Sequence, residues 1–208
     1  MPVMGPGGTR VLVDANILLS RTLRDWLALL YLHSAAGVFE VLWTDDIMAE
    51  VRYHLRKRFP LHDDEQIGGV CRRIEATFAT GHVTGYAVGA DGSYVDVDDA
   101  HVHCAAIHAG ADILLTNNVA DFRDLDSLPY EIYTADEFFE LVDDSAPRVV
   151  RTVAGEQLTY YVQRAKGAPV SLPDSLKRAD APRFAERVRR HLQCIDVGVL
   201  LAETPSPT

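Results

Sequence analysis

The side chains in this chain best suited to chemistry are carboxylates at the ends of apolar runs. Val11-Leu12-Val13 passes straight into Asp14-Ala15-Asn16. A short continuous apolar run of this kind reads as a strand buried on both faces, which puts Asp14 at its carboxyl end. A buried carboxylate without a partner costs several kcal/mol at least, so Asp14 needs one. A metal ion meets that need; service as the cap of the next helix is the alternative this stretch leaves open. Ile113-Leu114-Leu115-Thr116 is a second such run, followed by Asn117, Asn118 and then Asp121. Asp98 and Asp99 stand where a helix is expected to begin, and Glu50 lies between Ile47 and Val51, at the edge of another helix's buried face. Magnesium and manganese take oxygen ligands, and paired metals clamp the attacking and leaving oxygens of a phosphodiester displacement. Asp14, Glu50, Asp99 and Asp121 gathered at one sheet edge would suit that chemistry. Each acid also has a plainer reading: Asp98 or Asp99 as a helix cap, Glu50 as a surface partner of His54 or Arg52, Asp121 as a turn residue.

The elements that must position these acids alternate along the chain. A helix is expected over Leu18–Ala36, with Leu19, Leu23, Trp26, Leu27, Leu30 and Tyr31 along one side and Gly37 as its stop. Val38–Trp43 reads as a strand, and Thr44 can cap a helix over Asp45–Arg58 that ends before Pro60. A further helix follows over about Asp63–Ala79, then a turn-rich stretch, Gly81–Tyr94, with a short strand around Val83–Val88. Asp98 looks like the cap of a helix reaching Ala109, stopped by Gly110. Asp112–Thr116 and Glu131–Tyr133 complete the strands, and Thr134-Ala135-Asp136-Glu137 reads as a capping box opening the helix Phe138–Val142. This alternation implies a three-layer α/β/α domain around a central parallel sheet, over residues 9–146. From Pro147 only helices are expected, over Arg148–Lys166 and about Asp180–Gln193. Residues 147–208 therefore read as a small helical C-terminal extension, too small to hold a robust core alone.

Composition narrows the function. The 208 residues are 48% hydrophobic and suit one domain with an appendage. No run approaches the roughly 18 apolar residues of a membrane span, and the Gly/Pro-rich start lacks the apolar core of a signal peptide. Cys71, Cys104 and Cys194 lie far apart and form no CxxC pair, which argues against a disulfide framework or zinc site and for the cytoplasm. No glycine-rich nucleotide loop, HExxH or GxSxG sequence is present. His101, His103 and His108 match no standard metal spacing.

Net charge is −10, unevenly spread: residues 1–146 carry 10 Lys/Arg against 24 Asp/Glu, and residues 147–208 carry 10 against 6. The basic tail, with Arg183, Arg187, Arg189, Arg190 and His191, is suited either to an anionic partner such as RNA or to docking on the acidic body. Arg52, Arg56 and Lys57, which follow Glu50 on its helix, could steer a phosphate backbone or simply form a solvated helix end. The Leu23–Tyr31 stripe reads most simply as core.

The collinear order Val-Leu-Val-Asp-Ala-Asn, a helical Glu, Asp-Asp-Ala-His-Val-His-Cys-Ala-Ala and Leu-Leu-Thr-Asn-Asn-Val-Ala-Asp-Phe resembles PIN-domain nucleases over about residues 10–145. It looks like the VapC-type toxins of bacterial toxin–antitoxin pairs, in a subgroup with an added C-terminal region. The resemblance implies a metal-dependent endoribonuclease using Mg2+ or Mn2+, with Asp14, Glu50 and Asp99 as metal ligands. Asn16 and Thr116 match polar residues that line the site, with Asp98 beside them. Many members carry an Asp where this chain has Asn118, and Asp121 stands three residues on, either replacing it or supporting it from behind. The resemblance further implies RNA as substrate, a cognate antitoxin, a homodimer and no membrane. A catalytically weak RNA-binding or scaffolding module, its metal site decayed at Asn118, is the alternative.

Overall fold

The computed structural model describes residues 8–34, 38–88, 100–122, 128–165 and 169–195. The chain divides into two compact units, Met1–Ala135 and Asp136–Thr208.

In the first unit β1 (Thr9–Val13), β2 (Phe39–Leu42), β3 (Ile113–Leu115) and β4 (Glu131–Tyr133) form one parallel sheet in the order β2-β1-β3-β4. Val11, Leu12 and Val13 of β1 are fully buried although successive residues of a strand point to opposite faces, so both faces are covered. The architecture is the expected α/β one. The chain lays β2 on one side of β1 and then β3 on the other, so strand order reverses between β1 and β3. In open α/β sheets ligands bind at such a reversal, outside the carboxyl ends of the strands.

The long helix expected over Leu18–Ala36 is instead two, α1 (Ala15–Leu19) and α2 (Arg21–His33). Ser20 separates them: its backbone is extended and its hydroxyl accepts the N–H of Leu23 as the cap of α2. Leu23, Trp26, Leu27 and Leu30 are at most 2% exposed, and the Tyr31 ring packs edge-on against Phe39 and Phe78, so this stripe is core. α3 (Asp45–Arg58) starts at Thr44, whose hydroxyl accepts the N–H of Ile47 at 3.1 Å. α4 (Asp64–Thr77) begins with a capping box between Asp63 and Gln66. α5 (Ala100–Ala109) stops at Gly110, whose φ of +57° suits glycine.

The short strand expected around Val83–Val88 does not form. The contact is a single bridge, Trp43 to His82, in which Trp43 N–H donates to Gly81 and Val83 N–H donates to Trp43. The Trp43 indole also donates to Phe78 O at 2.9 Å and stacks on His82. This strap fixes the end of β2 just before Thr44, and so sets where α3 begins.

The second unit comprises α6 (Ala135–Ser145, from its second residue), α7 (Pro147–Arg164), α8 (Leu172–Arg178) and α9 (Pro182–Gln193). α8 had no counterpart in the sequence reading; Ser171 caps it and Pro173 occupies its first turn. The unit boundary falls before α6, whereas the composition changes after it, because α6 is acidic like the first unit. The cause is visible in the pairing. Asp136 on α6 accepts the backbone N–H groups of Arg183 and Phe184 at 3.2 and 2.8 Å, capping α9, which has no capping side chain of its own. Arg183 bonds Asp136 at 3.0 Å and pairs with Glu140 at 3.2 Å. Arg187 bonds Glu140 at 3.0 Å and Asp143 at 3.1 Å and contacts Asp144, and His191 lies 2.6 Å from Asp143. Three of the five basic candidates of the tail are thus spent on α6.

Arg187 is the centre of this ladder, and Asp143 is only 7% exposed. Truncating Arg187 leaves the largely buried Asp143 with His191 as its remaining partner and strips Glu140 and Asp144 of a shared cation. Arg187→Ala should cost about 2 kcal/mol, or roughly 4–8 °C in melting temperature. Arg189→Ala, which removes a solvent-exposed pair with Glu186, should stay within about 0.5 kcal/mol. Denaturant melts of both variants check the difference; equal stabilities would contradict the ladder's weight.

Candidate functional site

β1 and β3 end side by side, and their next residues meet across the reversal of strand order. Asp14 follows β1 and is 4% exposed; Thr116 follows β3 and is fully buried. Thr116 Oγ1 donates to Asp14 Oδ2 at 2.6 Å, and Asn16 Nδ2 donates to the same oxygen at 2.5 Å. Asn16 Nδ2 also reaches Thr116 Oγ1 at 2.9 Å, while Asn16 Oδ1 accepts the N–H of Asn117 at 3.1 Å. The Thr116 hydroxyl further accepts the N–H of Asn118 at 3.0 Å. One donor and two acceptors are thereby used, which is the full capacity of a hydroxyl.

Asp14 occupies the N-cap position of α1 with extended backbone, φ −72° and ψ 154°, yet its side chain makes no capping hydrogen bond. The carboxylate turns sideways, toward Thr116 and Asn16. Burial raises its pKa; the Thr116 hydroxyl, the N–H dipoles of Ala15 and Asn16 and the charge of His101 pull the other way and only partly offset it. The neighbours therefore orient Asp14 without fully stabilising its charge. His101, whose charge acts on Asp14 in this way, lies in the first turn of α5.

The other candidates are placed as follows. Glu50 is half-buried on α3, with His54 Nε2 at 3.7 Å one turn further on. Asp121 is half-buried in the 3-10 turn Val119–Phe122, its N–H bonded to Asn118 O at 3.1 Å, and Asn118 is exposed. Asp98 and Asp99 lie outside the described residues. Among the described residues no three His, Cys, Asp or Glu side chains gather as a metal-holding group. Arg52 pairs with Glu75 at 4.0 Å and Arg56 with Asp64 at 2.6 Å, both on α4, while Lys57 is exposed. His103 Nδ1 lies 2.7 Å from the Tyr130 hydroxyl, and burial lowers the imidazole's pKa.

Asn117 is a member of the network that the sequence reading did not single out. Its side-chain oxygen accepts the N–H of Ala135 at 3.0 Å, tying the turn after β3 to the residue that ends the first unit. Its position directly after Thr116 was the only hint available.

Thr116→Val keeps the shape but removes the donor to Asp14 and the acceptor for Asn16 and Asn118. Stranding buried polar groups costs about 1–3 kcal/mol, and Thr116→Ser should recover most of it. Urea melts test this; a Val variant as stable as wild type would show that the hydroxyl does not organise the site.

A family model described as "PIN domain" matches residues 10–120, just over half the chain, and spans Asp14, Glu50 and Thr116. No curated protein and no solved structure matches the chain.

Proposed function

The chain belongs to the PIN domain family, and from that premise we propose that it is a divalent-metal-dependent endoribonuclease acting as a VapC-type toxin. The observation that carries this reading is Asp14, a buried carboxylate aimed across the strand-order reversal and held there by Thr116 and Asn16. The donor set fits a hard cation: the candidates are oxygen ligands, and burial leaves Asp14 in want of positive charge. Asp14, Glu50 and Asp99 would hold magnesium or manganese, with Asp121 contributing directly or from behind. Such an ion, when bound, supplies Lewis acidity, making water nucleophilic at neutral pH and offsetting charge on a leaving oxygen.

This chain's own residues do the positioning. Thr116 and Asn16 fix one carboxylate oxygen of Asp14, and Asn117 fixes the amide of Asn16. Lys57, with Arg52 and Arg56 if they exchange their α4 partners for phosphate, would draw RNA toward the acids. The motif resemblance supports a cytoplasmic homodimer neutralised by a cognate antitoxin. No helix among the described residues is long and apolar enough to cross a membrane.

The test is cleavage of single-stranded RNA with manganese by wild type, Asp14→Asn and Asp99→Asn. Cleavage by wild type alone is expected. Equal behaviour of all three would favour an RNA-binding module whose site has decayed at Asn118.

A further inference from the structure

α9 has two polar faces with different partners. Arg183, Arg187 and His191 recur every four residues and form one ridge, which pairs with the carboxylates of α6. Glu186, Arg189 and Arg190 lie on the face turned away from buried Phe184, Ala185 and Val188. Arg189 bonds Glu186 at 3.0 and 2.5 Å, both within the helix. The same carboxylate feels the charges of Arg190 and of Lys177, which comes from the last turn of the neighbouring helix α8. Lys177, Arg189 and Arg190 are all exposed. Glu186 thus holds Arg189 directly, with Arg190 on the same face and the charge of Lys177 reaching it from α8, while the carboxylates of α6 are engaged on the other ridge.

We infer that the exposed face formed by Lys177, Arg189 and Arg190 is a phosphate-backbone docking surface for single-stranded RNA. This deepens the reading above by giving the helical unit a share of the substrate. Charge complementarity selects the partner. A chain of net charge −10 repels polyanions in general, so holding one calls for a locally cationic face such as this. Backbone contacts of this kind carry no base specificity, so the grip should be largely independent of sequence.

The experiment uses the full chain with EDTA, to prevent cleavage, and a labelled oligouridine as probe, with affinity followed against salt. Lys177→Glu/Arg190→Glu should weaken binding about tenfold or more at moderate salt. The slope of log affinity against log salt should shrink by about 1.4, or ~0.7 for each phosphate released. Lys177→Gln/Arg190→Gln, checked to melt like wild type, guards against misfolding and should show a smaller loss in the same direction. Unchanged affinity and slope in both variants would overturn the inference. So would displacement of the RNA by equimolar polyglutamate of the same charge, which would mark an acidic protein as the partner. Wild-type cleavage with manganese is scored separately. Cleavage with unaltered binding by the variants removes this surface and leaves the nuclease reading standing; altered binding without cleavage does the reverse.

Discussion

Asp14→Asn is expected to melt higher than wild type in chelator, to gain nothing from manganese and, if the proposed ribonuclease reading holds, to cleave RNA at least about 100-fold more slowly, equivalent to about 2.7 kcal/mol of barrier. The thermal part follows from the sign of the pKa shift. Burial raises the folded-state value above the ordinary 3.8, so between 3.8 and the raised value the native state holds a proton that the unfolded chain has released. Stability falls as pH rises through that window and stays reduced above it, once the buried carboxylate is ionised at a cost. Asparagine keeps the acceptor for Thr116 and Asn16 and removes the charge. Relief of about 1 kcal/mol would raise the melting temperature by roughly 2–4 °C. In wild type a bound cation should recover the same cost and more, by mass action. Scanning calorimetry at pH 5 and pH 7.5, with EDTA and with manganese, measures all of this. An Asn variant that melts lower in EDTA would mean that Asp14 is a structural hydrogen-bonding residue.

Gly81→Ala should cost about 3 kcal/mol or more, lowering the melting temperature by roughly 6–12 °C. A Cβ at this position would lie 1.8 Å from the carbonyl oxygen of Val41 and 2.8 Å from its carbon. Both are backbone atoms of β2, which is held in register against β1. The strap must move instead, and it carries the Gly81 O and Val83 N–H that bond Trp43. Because Trp43 leads into Thr44 and α3, the change should also disturb Glu50. Gly85→Ala is the contrast: it too lies in this stretch, and a Cβ there meets nothing within 4 Å, though its φ of +79° still disfavours alanine. A melt in which Gly81→Ala behaves like wild type would contradict the close approach.

Gly81 marks the limit of what this chain announces locally. The strands were legible because burial on both faces leaves continuous apolar runs, Val11–Val13 and Ile113–Leu115, that no surface segment needs. Thr44, Asp63 and Gly110 were legible as helix ends because capping and the left-handed φ are local chemistry. Close packing of Gly81 on β2 is not local, and neither is the pairing of α6 with α9, 47 residues apart at Asp136 and Arg183. The break at Ser20 was missed because the apolar spacing runs through it, although the serine that caps α2 was in plain view.

In the site, Asp14 could be read from its position just past a buried strand, whereas Asn16 and Thr116 were reached through the resemblance to PIN-domain nucleases. Asn117 could be read in neither way, because its side-chain partner is a backbone N–H from beyond β4. Arg183, Arg187 and His191 carried the same basic signature as Lys177, Arg189 and Arg190. Only the fold separates those committed to α6 from those left facing solvent.

The most direct measurement of the central claim is anomalous diffraction from crystals grown with manganese. A peak roughly 2.0–2.3 Å from a carboxylate oxygen of Asp14, shared with Asp99 or Glu50, is the predicted result. A crystal in which Asp14, Glu50 and Asp99 are all ordered, face different regions and bind no manganese at saturating concentration would contradict it.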